Sequence, residues 1–253
     1  MSGEKEYHIK LSSNDIEGAK YAILPGDPGR VGKIAKYLEN PRKIGQNREY
    51  TAYLGSISGE KVLVISTGMG GPSTAICIEE LKNIGIEYLI RVGTCGGMQQ
   101  DVMPGDIIIP TGAIRQEGTS KEYVPIEFPA VADYDLVEAL RYSSEKLQFN
   151  YHLGVVHCKD SFYGQHQPER MPVGYELKNK WEAWIKAGAL ASEMETATLF
   201  TVSSTLRMKA AAVLLVIWNQ ELDNAGVDFN TKYDTESEIK VAVNAIKKII
   251  NRK

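Results

Sequence analysis

The sequence predicts an α/β fold. Three observations carry this. Short β-branched runs alternate with helical patterns along the whole chain, glycine-rich turns follow three of those runs, and residues 210–218 form one continuous apolar run of the kind found in a strand buried on both sheet faces. Residues 21–24 read as the first strand. PGDPG at 25–29 ends it, and Val31, Ile34, Ala35 and Leu38 then mark one helical face. Residues 61–66 (KVLVIS) form a second strand that runs into TGMGG. Pro72 follows in the first turn of a helix, where its missing N–H costs nothing, and Cys77, Leu81 and Ile84 share a face of that helix. Residues 87–92, 106–110 and 152–159 read as further strands. Helices are predicted over 174–187, 195–207 and 234–251, the last with Thr235 and Glu238 as a capping box and Ile239, Val243, Ile246 and Ile250 as its core stripe. The polar, turn-rich stretch 112–129 reads as a lid or an oligomer contact.

At 253 residues, with 43% hydrophobic and 24% charged side chains, the chain can bury the core of one large domain spanning 1–253. Its formal net charge of −3, spread along the sequence, argues against nucleic acid as a partner, which would need a clustered basic surface. The apolar run 210–218 is half the length needed to cross a bilayer, so no membrane partner is expected. Residues 1–10 are charged and lack the apolar centre of a signal peptide, which makes the cytoplasm the expected compartment. Cys77, Cys95 and Cys158 form no CxxC pair and read as buried small residues rather than as a disulfide framework or zinc cluster.

The chemistry concentrates in a few stretches. PGDPGR (25–30), TGMGGPS (67–73) and RVGTCGG (91–97) each follow a predicted strand, where open α/β sheets bind ligands. Glycines there let backbone approach an anion, and Arg30 and Arg91 add charge-assisted contacts suited to phosphate. Any one of these glycines read alone is a turn former. The dinucleotide fingerprint fits poorly, because position 73 is Ser and Glu87 opens its strand instead of ending it. No P-loop lysine follows any of the turns, and neither a Gly-x-Ser-x-Gly elbow nor HExxH occurs. In SEMETATL (192–199), Glu193 and Glu195 either stabilise a helix start or grip sugar hydroxyls while Met194 packs on the sugar. DSFYGQHQ (160–167) is either a surface loop anchored by aromatics or a set that stacks on a base and bonds its edge.

Taken together, PGDPGRV (25–31), NREY (47–50), STGMGGPS (66–73), RVGTCGG (91–97), EFPAVAD (127–133), DSFYGQ (160–165) and SEMETATL (192–199) resemble the nucleoside phosphorylase family over nearly the whole chain, in the right order. The stretch 115–133 is closer to the uridine branch than to the hexameric purine enzymes. The resemblance implies a single-domain, three-layer α/β/α fold with a central mixed β-sheet. It implies that Gly26, Arg30, Arg91 and Thr94 hold phosphate, with Arg48 reaching in from a neighbouring subunit. Thr94, Glu193, Met194 and Glu195 would hold the ribose, with His8 of the neighbour at its 5′-hydroxyl, and Phe162, Gln165 and Gln167 would meet the base. Arg91, Glu195 and Gln165 would be the catalytic set. No cofactor is required beyond inorganic phosphate as co-substrate, and a structural potassium ion would sit at the dimer interface on Glu49, the carbonyl of Met69 and Ser73. A homo-oligomer follows, with the dimer as minimal active unit and a hexamer as a trimer of dimers.

The chain departs from this pattern at the base. The arginine usual after the glutamine falls at Gln167, and a second one, after Trp218-Asn219, is replaced by Gln220; Arg170 is a candidate substitute. The expected reaction is attack of phosphate on C1′ of uridine, deoxyuridine or thymidine, with no covalent enzyme intermediate. A purine nucleoside phosphorylase is the nearest rival, because Asp223 lies close to where that branch keeps an acid, while Asn219 cannot deliver a proton. A nucleoside hydrolase and a non-catalytic nucleoside sensor are further alternatives.

Overall fold

The computed structural model describes residues 3–229, 233–234 and 236–252. The capping-box residue Thr235 lies outside them. Strand β1 (Tyr21–Pro25) is buried along its length and feeds α1 (Pro28–Ala35), where the Asp27 carboxylate accepts from Gly29 N at 2.8 Å and caps the helix. An antiparallel meander of β2 (Glu39–Asn47), β3 (Tyr50–Ile57) and β4 (Glu60–Ile65) leads into α2 (Gly71–Ile84). Then come β5 (Tyr88–Gly97), β6 (Ile107–Arg115), α3 (Thr119–Tyr123), β7 (Ala130–Val131), α4 (Tyr134–Lys146) and β8 (Tyr151–Cys158). The chain continues through α5 (Phe162–His166), a 3₁₀ turn at Pro168–Arg170, α6 (Gly174–Lys186), β9 (Ala191–Glu193), α7 (Thr196–Thr205), β10 (Lys209–Asn219), α8 (Gln220–Asn224) and α9 (Ser237–Ile250).

The sheet is mixed. β1 lies parallel between β4 and β5, and β10 runs parallel along the other edge of β5. β6 is antiparallel to β10 and parallel to β8, while β9 bridges β8 back to β5. Five strands therefore close on themselves, and β1, β4, β3 and β2 extend from β5 as an open wing. Helices cover both faces. α2 and α7 bury one apolar cluster, and α1, α4 and α9 bury another on the opposite side. Within α9 the buried stripe runs through Ile239, Ala242, Ala245, Ile246 and Ile249, and Val243 is only partly buried.

Several local expectations change. RVGTCGG is not a turn: its glycines stay in β5, because β10 pairs with them, Gly93 opposite Leu214 and Gly97 opposite Asn219. Gly93 is there for space, since a Cβ on it would lie 2.8 Å from Arg91 Nη2. The stretch 112–129 begins as strand and is then tied down by Arg115, whose guanidinium donates to the carbonyls of Ser120, Val124, Pro125, Ile126 and Phe128. The β2–β3 hairpin has no counterpart in the apolar pattern, because β2 is exposed along most of its length. All three cysteines are buried and free. Among the described residues no helix is long and apolar enough to cross a membrane, and no three His, Cys, Asp or Glu side chains cluster as a metal site.

Candidate active site

A cleft of about 1160 Å³ opens where β1, β5, β9 and β10 end, and it gathers side chains from 26 to 239. At one end stands Arg91. Its position in the middle of a doubly flanked strand leaves it 5% exposed. Nη2 is ion-paired with Glu195, Nε lies 3.4 Å from Glu193 Oε2, and Nη1 has no hydrogen-bond partner. Desolvation pulls the Arg91 pKa down, but the Glu195 and Glu193 carboxylates outweigh it and hold the guanidinium charged. A buried cation with an unmatched N–H beside a cleft is suited to an anion. Arg30 reaches the same end from α1 and is ion-paired with Glu238 of α9. The 67–70 turn closes over it with Gly68 at φ 72°, where a Cβ would lie 2.6 Å from Ser73 Oγ.

The two acids of SEMETATL divide the roles the sequence left open. Glu193 accepts from Glu195 N at 2.9 Å and from Thr196 N at 2.9–3.0 Å, so it satisfies the first amides of α7. Glu195 pairs with Arg91 and accepts from Gly70 N at 2.7 Å, and both acids line the cleft. Gly26, Thr94 and Met194 line the same cavity.

The far end is built from side chains. Lys159, at the end of β8, is 6% exposed and donates to Ser192 Oγ at 2.7 Å. The Gln165 amide lies 2.7 Å from that same hydroxyl and 3.1 Å from the Gln220 amide. His157 places Nδ1 3.0 Å from Ser192 Oγ and Nε2 2.5 Å from Gln116 Oε1. Burial lowers the pKa of Lys159, and pushes His157 down to about 3, so its ring is neutral at ordinary pH. Phe162, His166 and Trp218 form an aromatic wall, with ring centroids 4.3 Å and 5.3 Å apart in succession. A second cavity of about 470 Å³ adjoins this end behind Lys159, Gln165 and His166.

One residue expected in this chain's own site lies elsewhere, and the two expected from a neighbouring subunit lie outside this chain's own cleft. Gln167 lines neither cavity, because it is the C-cap of α5, where the backbone has left the helix at φ −140° and ψ 54°, and its side chain accepts from the Arg170 guanidinium. Arg170 is therefore no substitute at the base either. His8 and Arg48 also lie outside this chain's own cleft, His8 held by Glu80 through its ring at 2.6 Å and Arg48 exposed at φ 50°. Asp223 lines neither cavity, and Asn219 is used up as the α8 cap and as donor to the Gln99 and Val102 carbonyls, both at 2.8 Å. Lys159, His166 and Ser192 were not among the expected site residues. For Lys159 a signal existed: a lysine at the C-terminal end of a predicted strand, where α/β sheets place ligands. Near the turn, Ser73 Oγ lies 2.6 Å from Glu49 Oε1 and keeps that carboxylate below its usual pKa.

The phosphorylase superfamily profile matches residues 20–251. The chain is 53% identical to a uridine phosphorylase of Treponema pallidum (strain Nichols), covering 99% of this chain and 96% of the relative. It is 38% identical to a uridine phosphorylase of Klebsiella aerogenes, over 99% and 100% of the two chains. A guanosine phosphorylase of Halorubrum lacusprofundi is 36% identical over 96% and 98%.

Proposed function

The chain belongs to the phosphorylase superfamily, and we propose that it is a pentosyltransferase that cleaves uridine with inorganic phosphate, giving uracil and ribose 1-phosphate. The observation that carries the chemistry is Arg91, buried and charged with Nη1 unmatched beside the cleft. Phosphate binds Arg91 and Arg30 over Gly26 and Thr94. One phosphate oxygen attacks C1′ as the bond to the base nitrogen breaks, and the electron pair of that bond passes to the base. Glu195 and Met194 hold the ribose, and Glu195 lies on the side where the sugar becomes positive. The departing uracil is an anion spread over its ring and oxygens. Lys159 and Gln165 oppose that charge, which a buried ammonium does far better than an exposed one. Phe162, His166 and Trp218 enclose the base.

His8 and Arg48 complete the site from a neighbouring subunit, which makes a dimer the smallest active unit and a hexamer of three dimers the expected assembly. Glu49, Ser73 and the Met69 carbonyl offer oxygen donors only, a set suited to a hard monovalent cation such as potassium between subunits. The purine alternative is disfavoured by the base chamber, where Asn219 is spent on backbone contacts and Asp223 lies outside the cleft.

The test follows base release from uridine, thymidine and inosine with and without phosphate, together with formation of ribose 1-phosphate. Phosphate-dependent cleavage of uridine is expected. Preference for inosine would move the assignment to purines, and release without phosphate would make the protein a hydrolase.

A further inference from the structure

Behind the base chamber a chain of polar side chains leads from α6 to Gln165. Trp184 Nε1 lies 3.3 Å from Gln116 Oε1 and His157 Nε2 lies 2.5 Å from the same oxygen. An indole N–H can only donate, so the Gln116 atom facing it is the carbonyl oxygen, and a ring nitrogen contacting that oxygen must carry a hydrogen. His157 is neutral, so its single proton is then on Nε2 and Nδ1 is a bare acceptor. Ser192 Oγ, 3.0 Å away, must give its only hydrogen to Nδ1. That hydroxyl already accepts from Lys159. It has no hydrogen left for Gln165, whose amide oxygen stands 2.7 Å away while the amide nitrogen stands 3.1 Å from Gln220 Oε1; the hydrogens therefore require the Gln165 amide to be turned over, nitrogen to Ser192 and carbonyl to Gln220, with the Gln220 amide turned to match.

We propose that Trp184, acting through Gln116, His157 and Ser192, locks the Gln165 amide in one orientation and so decides which pyrimidine edge the site accepts. Uracil presents a ring N–H flanked by carbonyl oxygens. Cytosine presents a bare ring nitrogen beside an amino group, which reverses donor and acceptor. An amide free to turn over matches both edges; a locked amide matches one. Trp184, Gln116 and His157 are thus positioning residues, remote from the reacting atoms, that act by assigning hydrogens along a chain. The proposal rests on the uridine reading for its choice of base, but not for the wiring.

Two measurements separate these. In the wild-type protein, long-range ¹H–¹⁵N correlation spectra of the histidine rings should show the His157 proton on Nε2; a proton on Nδ1 overturns the proposal whatever the substrate is. In Trp184→Phe, which keeps an aromatic ring but removes the donor, His157 should become a mixture of tautomers. The ratio of cytidine Ki to uridine KM should fall by about tenfold, the worth of one well-placed bidentate contact, with the KM for phosphate unchanged. Gln116→Met breaks the same chain one step further on and serves if Trp184→Phe does not fold. An unchanged ratio in a folded variant overturns the lock, as does an equal loss of uridine and phosphate affinity. Wild-type protein that fails to cleave uridine would sink the functional reading while leaving the tautomer result to stand or fall by itself.

Discussion

The two ends of the cleft are built in different ways. The end proposed for phosphate is mostly backbone and two guanidiniums: glycines 68 and 93 leave room for Ser73 and for Arg91, Arg30 pairs with Glu238, and Arg91 is held by strand neighbours and two nearby carboxylates. The base end is a network of side chains from distant segments, Gln116, His157, Gln165, Ser192 and Gln220, joined by bonds that span 27 to 55 positions in sequence. A backbone-built site is insensitive to the identity of most of its neighbours. A side-chain network depends on every member, because one lost partner leaves another buried and unsatisfied. The first kind suits an invariant ligand such as phosphate, and the second suits discrimination between similar bases.

If that division is real, substitutions at the two ends should fail differently. The largest effect is expected from Arg91→Ala. It removes the phosphate cation and leaves Glu195 and Glu193 buried without their counter-charge, so phosphorolysis should drop by at least ~10³-fold and stability by roughly 3–5 kcal/mol. Steady-state kinetics in phosphate and thermal unfolding would measure both; a variant that lost only uridine affinity would break the comparison. Lys159→Met keeps the length of the side chain and removes the charge opposing the departing base. Its kcat for uridine should fall by about 10²–10³-fold with little change in the KM for phosphate. A matched loss of phosphate affinity would show the two ends to be one unit.

Smaller effects should fall on the supports. Asn219→Ala removes the cap of α8 and its tie to the Gln99 and Val102 carbonyls, and should cost about 1–2 kcal/mol in denaturant unfolding. Because Gln220 follows directly, uridine KM should rise while phosphate KM stays put. Glu238 gives the least disruptive test. It is buried against Arg30, and desolvation raises its pKa to about 7. The folded state therefore holds this proton more tightly than the unfolded chain, whose carboxyl titrates near 4.5, so the stabilisation is complete below that value and is lost as pH rises through about 7. Glu238→Gln should flatten this part of the stability profile, gaining relative to wild type at pH 8 and not at pH 4. It should also lower the phosphate KM a few-fold by releasing Arg30, and an unchanged phosphate KM would mean that the pair does not compete with the ligand.

The same contrast explains what the sequence makes legible. Strands β1, β4, β8 and β10 and helices α6, α7 and α9 stand out by periodicity, and the glycines and arginines proposed to hold phosphate lie in short contiguous motifs. The exposed strand β2 shows no apolar alternation, so the open wing of the sheet is hidden. At the base end, Gln165 is legible as a member of an aromatic and amide loop. Gln167, two positions on, carries the same chemistry and lines neither cavity, since it is the C-cap where the backbone leaves α5, and where so short a helix ends is settled by packing.

The sequence by itself determined the α/β alternation, the positions of the glycine-rich motifs and the family to which the chain belongs, because each depends on local periodicity or on contiguous residues. Only the tertiary structure decided that RVGTCGG stays in a strand, that Glu193 caps α7 while Glu195 pairs with Arg91, and that Lys159 rather than Arg170 lines the cleft. Those outcomes depend on which strand lies alongside and which donor meets which acceptor. β10 and Ser192 are far from Gly93 and Lys159 in the chain, and closure of the sheet is what brings them together.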